Sequence, residues 1–478
     1  MKTIAIIGAG PAGLSAAYEI LKQSNNYKIT IFEKEENVGG LSRSFTFNGG
    51  KVDIGGHRFF TKNEAVKKLW DDVLPISDKG MLLKNRKSHI LYNNKLVEYP
   101  LQLNLSTIQS LGLSKGIKAI LSYLFHSKND TKISTLKDFY IRRFGKELYT
   151  EFFEKYTFKL WGIPACELSS DWGEQRIQKV SLTDLLSSML LNKNKNERSL
   201  TKEFYYPAFG CGQFWDELAT KVVANGCTIE KNCRINGFEI NNQNITTVRY
   251  NKNGVSCSDH FDYVISSMPL RELVLITDNC PDKVKKVASR LFYRNMIIIA
   301  IEINKTDAGI TLINAQRDCW LYIQDENISF GRVQILNNWS VYTVNNSDSF
   351  LLELECFCNN DDSLWNKNDN ELLLNVIEEL KLCGFCNNSA KAKSYFIKRI
   401  ENAYPIYTDG YHQLCVIKEW VDSVENLRCI GRNGQHRYNN MDHSVETGFE
   451  AAKSILDKNY DEKWLWNVNS KQEYIEKA

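Results

Sequence analysis

The chain has 478 residues, 43% hydrophobic and 24% charged, an ordinary globular composition and enough length for two or three cores. Its 60 basic and 57 acidic side chains leave a formal net charge of +3, which argues against a broad nucleic-acid surface and leaves anion recognition to a few placed arginines. No apolar run approaches the roughly twenty residues that span a bilayer. The N-terminus enters a strand-like run at once, so the expectation is a cytoplasmic protein with no signal peptide and no integral membrane segment.

Residues Thr3 to Gly13 read TIAIIGAGPAG, and Ile29 to Gly40 read ITIFEKEENVGG. Strand, Gly-rich turn, helix, strand and acid fall in the order of a βαβ dinucleotide-binding unit. Gly8 permits the turn, Gly10 lets the backbone approach a pyrophosphate, and Gly13 lets helix and strand pack closely. Pro11 and Ala12 open the helix, whose N-terminal N–H groups favour phosphate. Glu33, with Lys34 beside it, ends the second strand where a carboxylate accepts from ribose hydroxyls and would repel a 2′-phosphate. The Gly pair ending in Gly40, followed by Leu41, favours FAD over NAD, because it suggests a loop running along an extended cofactor. The plainer reading is a tight βα turn with no ligand. In KVDIGGHRFF, Gly55, Gly56 and His57 read either as backbone laid flat against a flavin or as a turn with a surface histidine.

Residues 76–199 read as mostly helical, with VEYPLQ (Val97 to Gln102), YTFKLWGIP (Tyr156 to Pro164) and Arg176 in WGEQRI. Their aromatics could stack a base and Gln102 could hydrogen-bond one, although spacing alone gives a helical core with an aromatic stripe. KNKNERS (Lys193 to Ser199) reads as a surface loop. Residues from about 205 to 270 return to strands, ending in FDYVISSMPL. Residues from about 290 to 400 alternate with period two, which predicts an antiparallel sheet with one covered face. NLRCIGR reads as a last buried strand and SVETGFEAAKSILD as a last helix. The fold class is therefore α/β. A discontinuous Rossmann-type FAD-binding domain (1–75, 200–290 and 400–478) carries a mostly helical substrate or cap domain (76–199) and an antiparallel-sheet substrate domain (291–399).

Two polar stretches carry chemistry. CWLYIQDENISFGRVQILNNWS presents Trp320, Tyr322, Arg332 and Asn338, and GRNGQHRYNNMDHS packs Arg432, Arg437, Tyr438, Asn440, Asp442 and His443 together. Arginines from two sides of one cleft can chelate a diphosphate by forked hydrogen bonds; the plainer alternative is loop arginines in solvent. The 13 cysteines are scattered. One CxC (Cys356, Cys358) and one CxxC (Cys383, Cys386) do not have zinc-site spacing, so reduced structural thiols and no metal are expected.

GGHRFF, YPLQ, FKLWGIP with GEQRI, CWLY with GRVQILNNWS, AYPIY and IGRNGQHRYNNMDHS occur in the order found in UDP-galactopyranose mutases, and the chain resembles the eukaryotic type of that family. The Rossmann part is shared with amine-oxidase-like flavoproteins. The resemblance implies that Arg332 and Arg432 hold the substrate diphosphate and that Arg176 lies near flavin and sugar. It places Tyr322, Tyr404 and Tyr438 around diphosphate and sugar, Asn440 on the sugar, His57 beside the flavin, and Tyr99, Gln102 and Trp161 at the uridine. Gly431, Asp442, His443 and Ser444 complete the cofactor contacts. The chain departs from the family at Thr157, at Trp339, placed beside the diphosphate, and by two residues between Tyr438 and Asp442, all of which touch the nucleotide and sugar pockets that the resemblance implies.

The activity implied is a non-redox pyranose/furanose isomerisation of a nucleotide-diphosphate sugar, serving cell-surface polysaccharide biosynthesis. Reduced flavin (FADH−) would attack the anomeric carbon through N5, and a flavin–sugar adduct would let the ring open and reclose. NAD(P)H could dock transiently as reductant, although no second nucleotide motif is evident. The alternatives are an FAD-dependent oxidoreductase of the amine oxidase or protoporphyrinogen oxidase type, and a catalytically silent flavin-binding protein.

Overall fold

The computed structural model describes residues 1–99, 112–125, 133–176, 203–461 and 463–469. A parallel five-stranded sheet has the order Leu427–Cys429, Tyr263–Ser266, Lys2–Ile7, Tyr27–Phe32 and Thr228–Glu230. Its central strand is buried from Ile4 onward, the mark of a parallel strand covered on both faces. Helix Pro11–Gln23 packs on helix Met441–Leu456 at close range. A Cβ added to Gly448 would lie 2.5 Å from the Ala12 carbonyl oxygen.

A second sheet has seven strands in the order Ser394–Ile406, Phe292–Asn304, Ser349–Cys358, Arg332–Ile335, Trp320–Ile323, Ser88–Tyr92 and Lys95–Glu98. Its neighbours are antiparallel except for the parallel pair Ser88–Tyr92 and Trp320–Ile323. The single covered face predicted for residues 290–400 is corrected here, because both faces are buried. Ile297, Ile299, Leu352 and Leu354 pack with Leu372, Val376 and Leu380 of helix Asp369–Leu382. Met296, Ile298, Leu351 and Phe357, on the opposite face, join the core of the parallel sheet. Period two assigns residues to faces but does not say what covers each face.

The mostly helical reading of 76–199 is corrected at its start, where Met81–Asn85, Ser88–Tyr92 and Lys95–Glu98 are strands. Asn93 and Asn94 turn the last two with φ of 48° and 57°, the left-handed pair that a two-residue hairpin needs. Helices follow at Leu113–Phe125, Leu136–Phe144 and Lys155–Trp161. The strand-rich reading of 205–270 also contains helix Gly212–Ala224, and a short helix, Lys463–Asn467, follows the long C-terminal one. The loop assigned to 193–199 lies outside the described residues.

Cys356, Cys358, Cys383 and Cys386 are free, buried thiols. Among the described residues no group of three or more His, Cys, Asp or Glu could hold a metal ion. No helix among them is long and apolar enough to cross a membrane.

Candidate active site

The Gly-rich turn leaves no room for a side chain at Gly8 or Gly13. Gly8 has φ +97°, and a Cβ on Gly13 would lie 2.0 Å from the Gly8 carbonyl oxygen. Gly10 caps helix Pro11–Gln23 without a side-chain bond, Pro11 begins it, and the first intrahelical bond runs from Leu14 N–H to Gly10 O at 3.0 Å. The N–H groups of Ala12 and Gly13 are thus among the orphan donors of the first turn. Gly39 N–H donates to Ala9 O at 2.8 Å, and a Cβ on Gly10 would meet the Gly40 Cα at 3.6 Å, so the two Gly-rich loops lie side by side. Glu33 is buried, accepting from Ala9 N–H at 2.8 Å and Glu35 N–H at 3.0 Å. Burial raises its pKa, against the pull of those N–H groups and Arg43. Each carboxylate oxygen retains acceptor capacity for a ribose hydroxyl. Lys34 is exposed beside it.

From Leu41, next to Gly40, an open cleft extends along the face of the seven-stranded sheet. It brings together Leu41, Gly55, Gly56, His57, Tyr322, Arg332, Tyr404, Arg432, Tyr438 and Asn440, all singled out in the sequence. Arg58, Trp320, Gln334 and Glu355 also line it. Asn440 N–H donates to His443 Nδ1 at 3.1 Å, and Ser444 Oγ donates to Asn439 Oδ1 at 2.9 Å, so this segment caps the helix that begins at Met441. Asp442 is buried in the same turn. Gly431 has φ +74°, and a Cβ there would meet the Ala12 Cβ at 3.0 Å.

His57 is half-buried on the Gly55–Gly56 turn, where Gly55 has φ +75°. Its Nδ1 lies 3.0 Å from Gly55 O. A carbonyl only accepts, so Nδ1 carries the proton and Nε2 of the neutral ring is the acceptor. Burial, then the charges of Arg432 and Arg332, push His57 down to about 4. Both guanidiniums therefore act on the same ring.

Arg432 is held by backbone. Nε and Nη2 donate to Asn439 O at 3.1 and 2.8 Å, and Nη1 donates to Ala403 O at 3.1 Å. It lies over the rings of Tyr404 and Tyr438, which are parallel to within 5°. Arg332 is held by side chains: Nη2 donates to Tyr404 Oη at 3.1 Å and lies 3.1 Å from Glu355 Oε2.

Glu353, Glu355 and Gln334, all buried, were not singled out from sequence. In SFLLELECF two glutamates alternate with leucines and read as the solvent side of a one-faced strand. Tertiary packing buries that side beneath the Gly55–His57 loop. Tyr156, the first residue of YTFKLWGIP, is a further aromatic neighbour of the cleft tyrosines. Its ring meets Tyr322 edge-on at 5.9 Å, and burial, opposed by the Arg332 charge, raises its pKa well above the usual phenol value.

Other expected residues sit behind the cleft wall. Tyr99 packs on Tyr322 at 4.5 Å. Trp161 is buried edge-on to Trp172 and Tyr404. Trp339, expected beside a diphosphate, is instead a core residue: its Nε1 donates to Cys319 O at 3.0 Å, and its ring lies against Gly56 and Trp320. Thr157 is likewise buried. Arg437 donates to Trp466 O at 2.6 Å and ties down the C-terminal segment. Gln102 and the side chain of Arg176 lie outside what the structure describes.

Residues 6–73 match the family model of an NAD(P)-binding Rossmann-like domain. The chain is 29% identical over 175 residues to a Klebsiella pneumoniae protein described as "Probable UDP-galactopyranose mutase", covering 35% of this chain and 43% of that one. It is 29% identical over 154 residues to protoporphyrinogen oxidase 2 of Arabidopsis thaliana, covering 31% and 30%. The aligned parts span less than half of either curated relative. The fold is that of a crystal structure of reduced UDP-galactopyranose mutase, with a TM-score of 0.84 at 24% identity over 98% of this chain and 99% of that one.

Proposed function

We propose that this protein is an FAD-dependent, non-redox isomerase that interconverts pyranose and furanose forms of a nucleotide-diphosphate sugar. The observation that carries the reading is the convergence of Arg332 and Arg432 on His57 in a cleft continuous with the Gly-rich turns. An oxidase of apolar or amine substrates has no use for two arginines there. The likeness to the mutase fold supports the same reading.

The chain fits the cofactor. The turn from Gly8 to Gly13, with no space for a Cβ at either end and with orphan N–H groups, suits a pyrophosphate, and Glu33 suits a ribose. Leu41, Gly55, Gly56, Gly431 and the turn at Asp442–Ser444 would border the rest. When bound and reduced, FAD supplies a nucleophile at N5.

Arg332 and Arg432 hold the diphosphate. Its charge grows as the glycosyl bond breaks, so the arginines stabilise the transition state more than the ground state. His57, neutral with Nε2 free to accept, adds no competing cation. Tyr322, Tyr404 and Tyr438 border diphosphate and sugar, and Asn440 borders the sugar. Reduction by NAD(P)H docking transiently in the same cleft and a cytoplasmic supply of sugars for cell-surface polysaccharide complete the reading.

The test is anaerobic. Dithionite-reduced and oxidised protein are incubated with UDP-, dTDP- and GDP-sugars, and the products are separated by chromatography. An isomer of unchanged mass, formed only with reduced flavin, is expected. Oxidised product with stoichiometric flavin reduction would instead make the protein a redox enzyme, in line with its protoporphyrinogen oxidase relative.

A further inference from the structure

A buried polar ladder runs beneath the Gly55–His57 loop. Antiparallel register sets Arg332 opposite Glu355 and Gln334 opposite Glu353. Gln334 Nε2 donates to Glu353 Oε1 at 2.7 Å and to Glu355 Oε1 at 3.3 Å. Glu353 Oε1 also accepts from Gly55 N–H at 3.0 Å. Glu355 Oε2 lies 3.1 Å from Arg332 Nη2. The loop rests directly on these groups: a Cβ on Gly55 would meet the Glu355 carboxyl at 3.1 Å, and one on Gly56 would meet Gln334 Oε1 at 3.0 Å. Three hydrogen bonds and one ion pair therefore connect the loop backbone to the arginine.

The charges of this ladder do not balance if every acid is ionised. Glu353, Glu355 and Asp53 are all buried, and the guanidinium of the ladder, Arg332, faces Glu355. Asp53 is satisfied by Ser44 Oγ at 2.5 Å, Tyr206 Oη at 2.7 Å and Cys211 N–H at 3.1 Å. Glu353 differs from Glu355 in having no cation beside it: Gly55 N–H and Gln334 Nε2 both reach Oε1, Oε2 makes no well-formed hydrogen bond to a described residue, and the Asp53 backbone N–H supplies only a further pull. A bare carboxylate oxygen between two other acids is an uncompensated charge, whereas a protonated carboxyl carries none.

We propose that Glu353 is a positioning residue that works as a neutral acid, locking the Gly55–His57 loop to the strand pair that carries Arg332. Burial, reinforced by Asp53 and Glu355, raises the Glu353 pKa well above the usual carboxylate range. The consequence is electrostatic. With Glu353 neutral, the strand pair itself carries one carboxylate, Glu355, and one guanidinium, Arg332, and the cleft stays receptive to anions. With Glu353 ionised, it carries two anions against one cation and opposes a diphosphate. The groups facing Glu353 are Asp53, Tyr206, Glu355 and Gln334, with Arg332 beyond.

The use of loop and arginine for a nucleotide diphosphate rests on the function proposed above; the protonation of Glu353 does not. The experiment is infrared spectroscopy of the flavin-loaded protein at pH 8, wild type and Glu353→Gln, with 13C-glutamate labelling to separate Asp53. A glutamic-acid carbonyl band present in wild type and missing from the variant is expected. UDP affinity, measured from neutral to alkaline pH for both proteins, gives the second arm. Wild type should fall roughly tenfold relative to Glu353→Gln as the acid ionises, the size of one added like charge at this range. Parallel profiles, or a labelled wild type without the band, would overturn the proposal, and the latter needs no folded variant. If no sugar is isomerised but the band is present and lost on substitution, the neutral acid stands and the isomerase reading fails.

Discussion

Arg332 and Glu355 face each other across neighbouring antiparallel strands, with Nη2 and Oε2 3.1 Å apart. The same Nη2 donates to the Tyr404 hydroxyl at 3.1 Å. This cation of the cleft is therefore built into a sheet and fixed before any anion arrives, which is the preorganisation that electrostatic catalysis needs.

Arg332→Ala should lower turnover by the equivalent of roughly 2–4 kcal/mol, the range for losing one electrostatic donor, while flavin stays bound. It also strands the Glu355 carboxylate, so the variant should melt earlier. Adding Glu355→Gln should restore melting without restoring turnover. Kinetics and thermal denaturation of the single and double variants separate the two roles. Flavin loss from Arg332→Ala would mean that the residue serves the cofactor instead.

Tyr404→Phe removes one hydrogen bond to a charged group and keeps the ring over which Arg432 lies. The expected cost is about 1.5–3 kcal/mol of transition-state stabilisation with a small change in melting temperature. A wild-type kcat/KM would show that Glu355 alone holds Arg332.

His57 has a folded pKa of about 4 against an ordinary 6.5. Between those values the folded protein binds fewer protons than the unfolded chain. The stability associated with His57 is therefore complete above about 6.5 and declines as pH falls through this window. NMR of ring-labelled histidine should find His57 neutral at pH 6. UDP should raise its pKa, because a bound diphosphate offsets the two arginines. Titration near 6.5 in the free protein would contradict this electrostatic account.

Gly13→Ala places a Cβ 2.0 Å from the Gly8 carbonyl, a backbone atom that cannot swing aside. The strain should cost about 1–3 kcal/mol and open the phosphate turn, giving protein that purifies with little flavin. Absorbance at the flavin band, measured per polypeptide, checks it. Full flavin content would show that the turn can shift as a unit.

The Gly8–Gly13 turn was legible because its requirement is local: a positive φ and close backbone approach admit almost nothing but glycine. The hairpin at Asn93–Asn94 was equally local and was missed inside a segment read for helical period. Arg332, Arg432 and the tyrosines could be identified by motif order. Their meeting at His57 depends on the seven-stranded sheet, which carries Arg332, Tyr322 and Tyr404, packing against the segment that carries Arg432 and Tyr438, and no spacing along the chain encodes that packing.

Sequence by itself determined the βαβ unit, the chemical type of the residues available and the alternation that assigns each residue to a face of its strand, because each follows from a few neighbouring residues. Only the tertiary structure decided which faces are buried. It buried Glu353 and brought Glu355 to the wall of the cleft, and took Trp339 from an expected diphosphate contact into the core. Burial depends on what arrives from distant parts of the chain, and burial sets both the charge balance at Glu353 and the neutrality of His57.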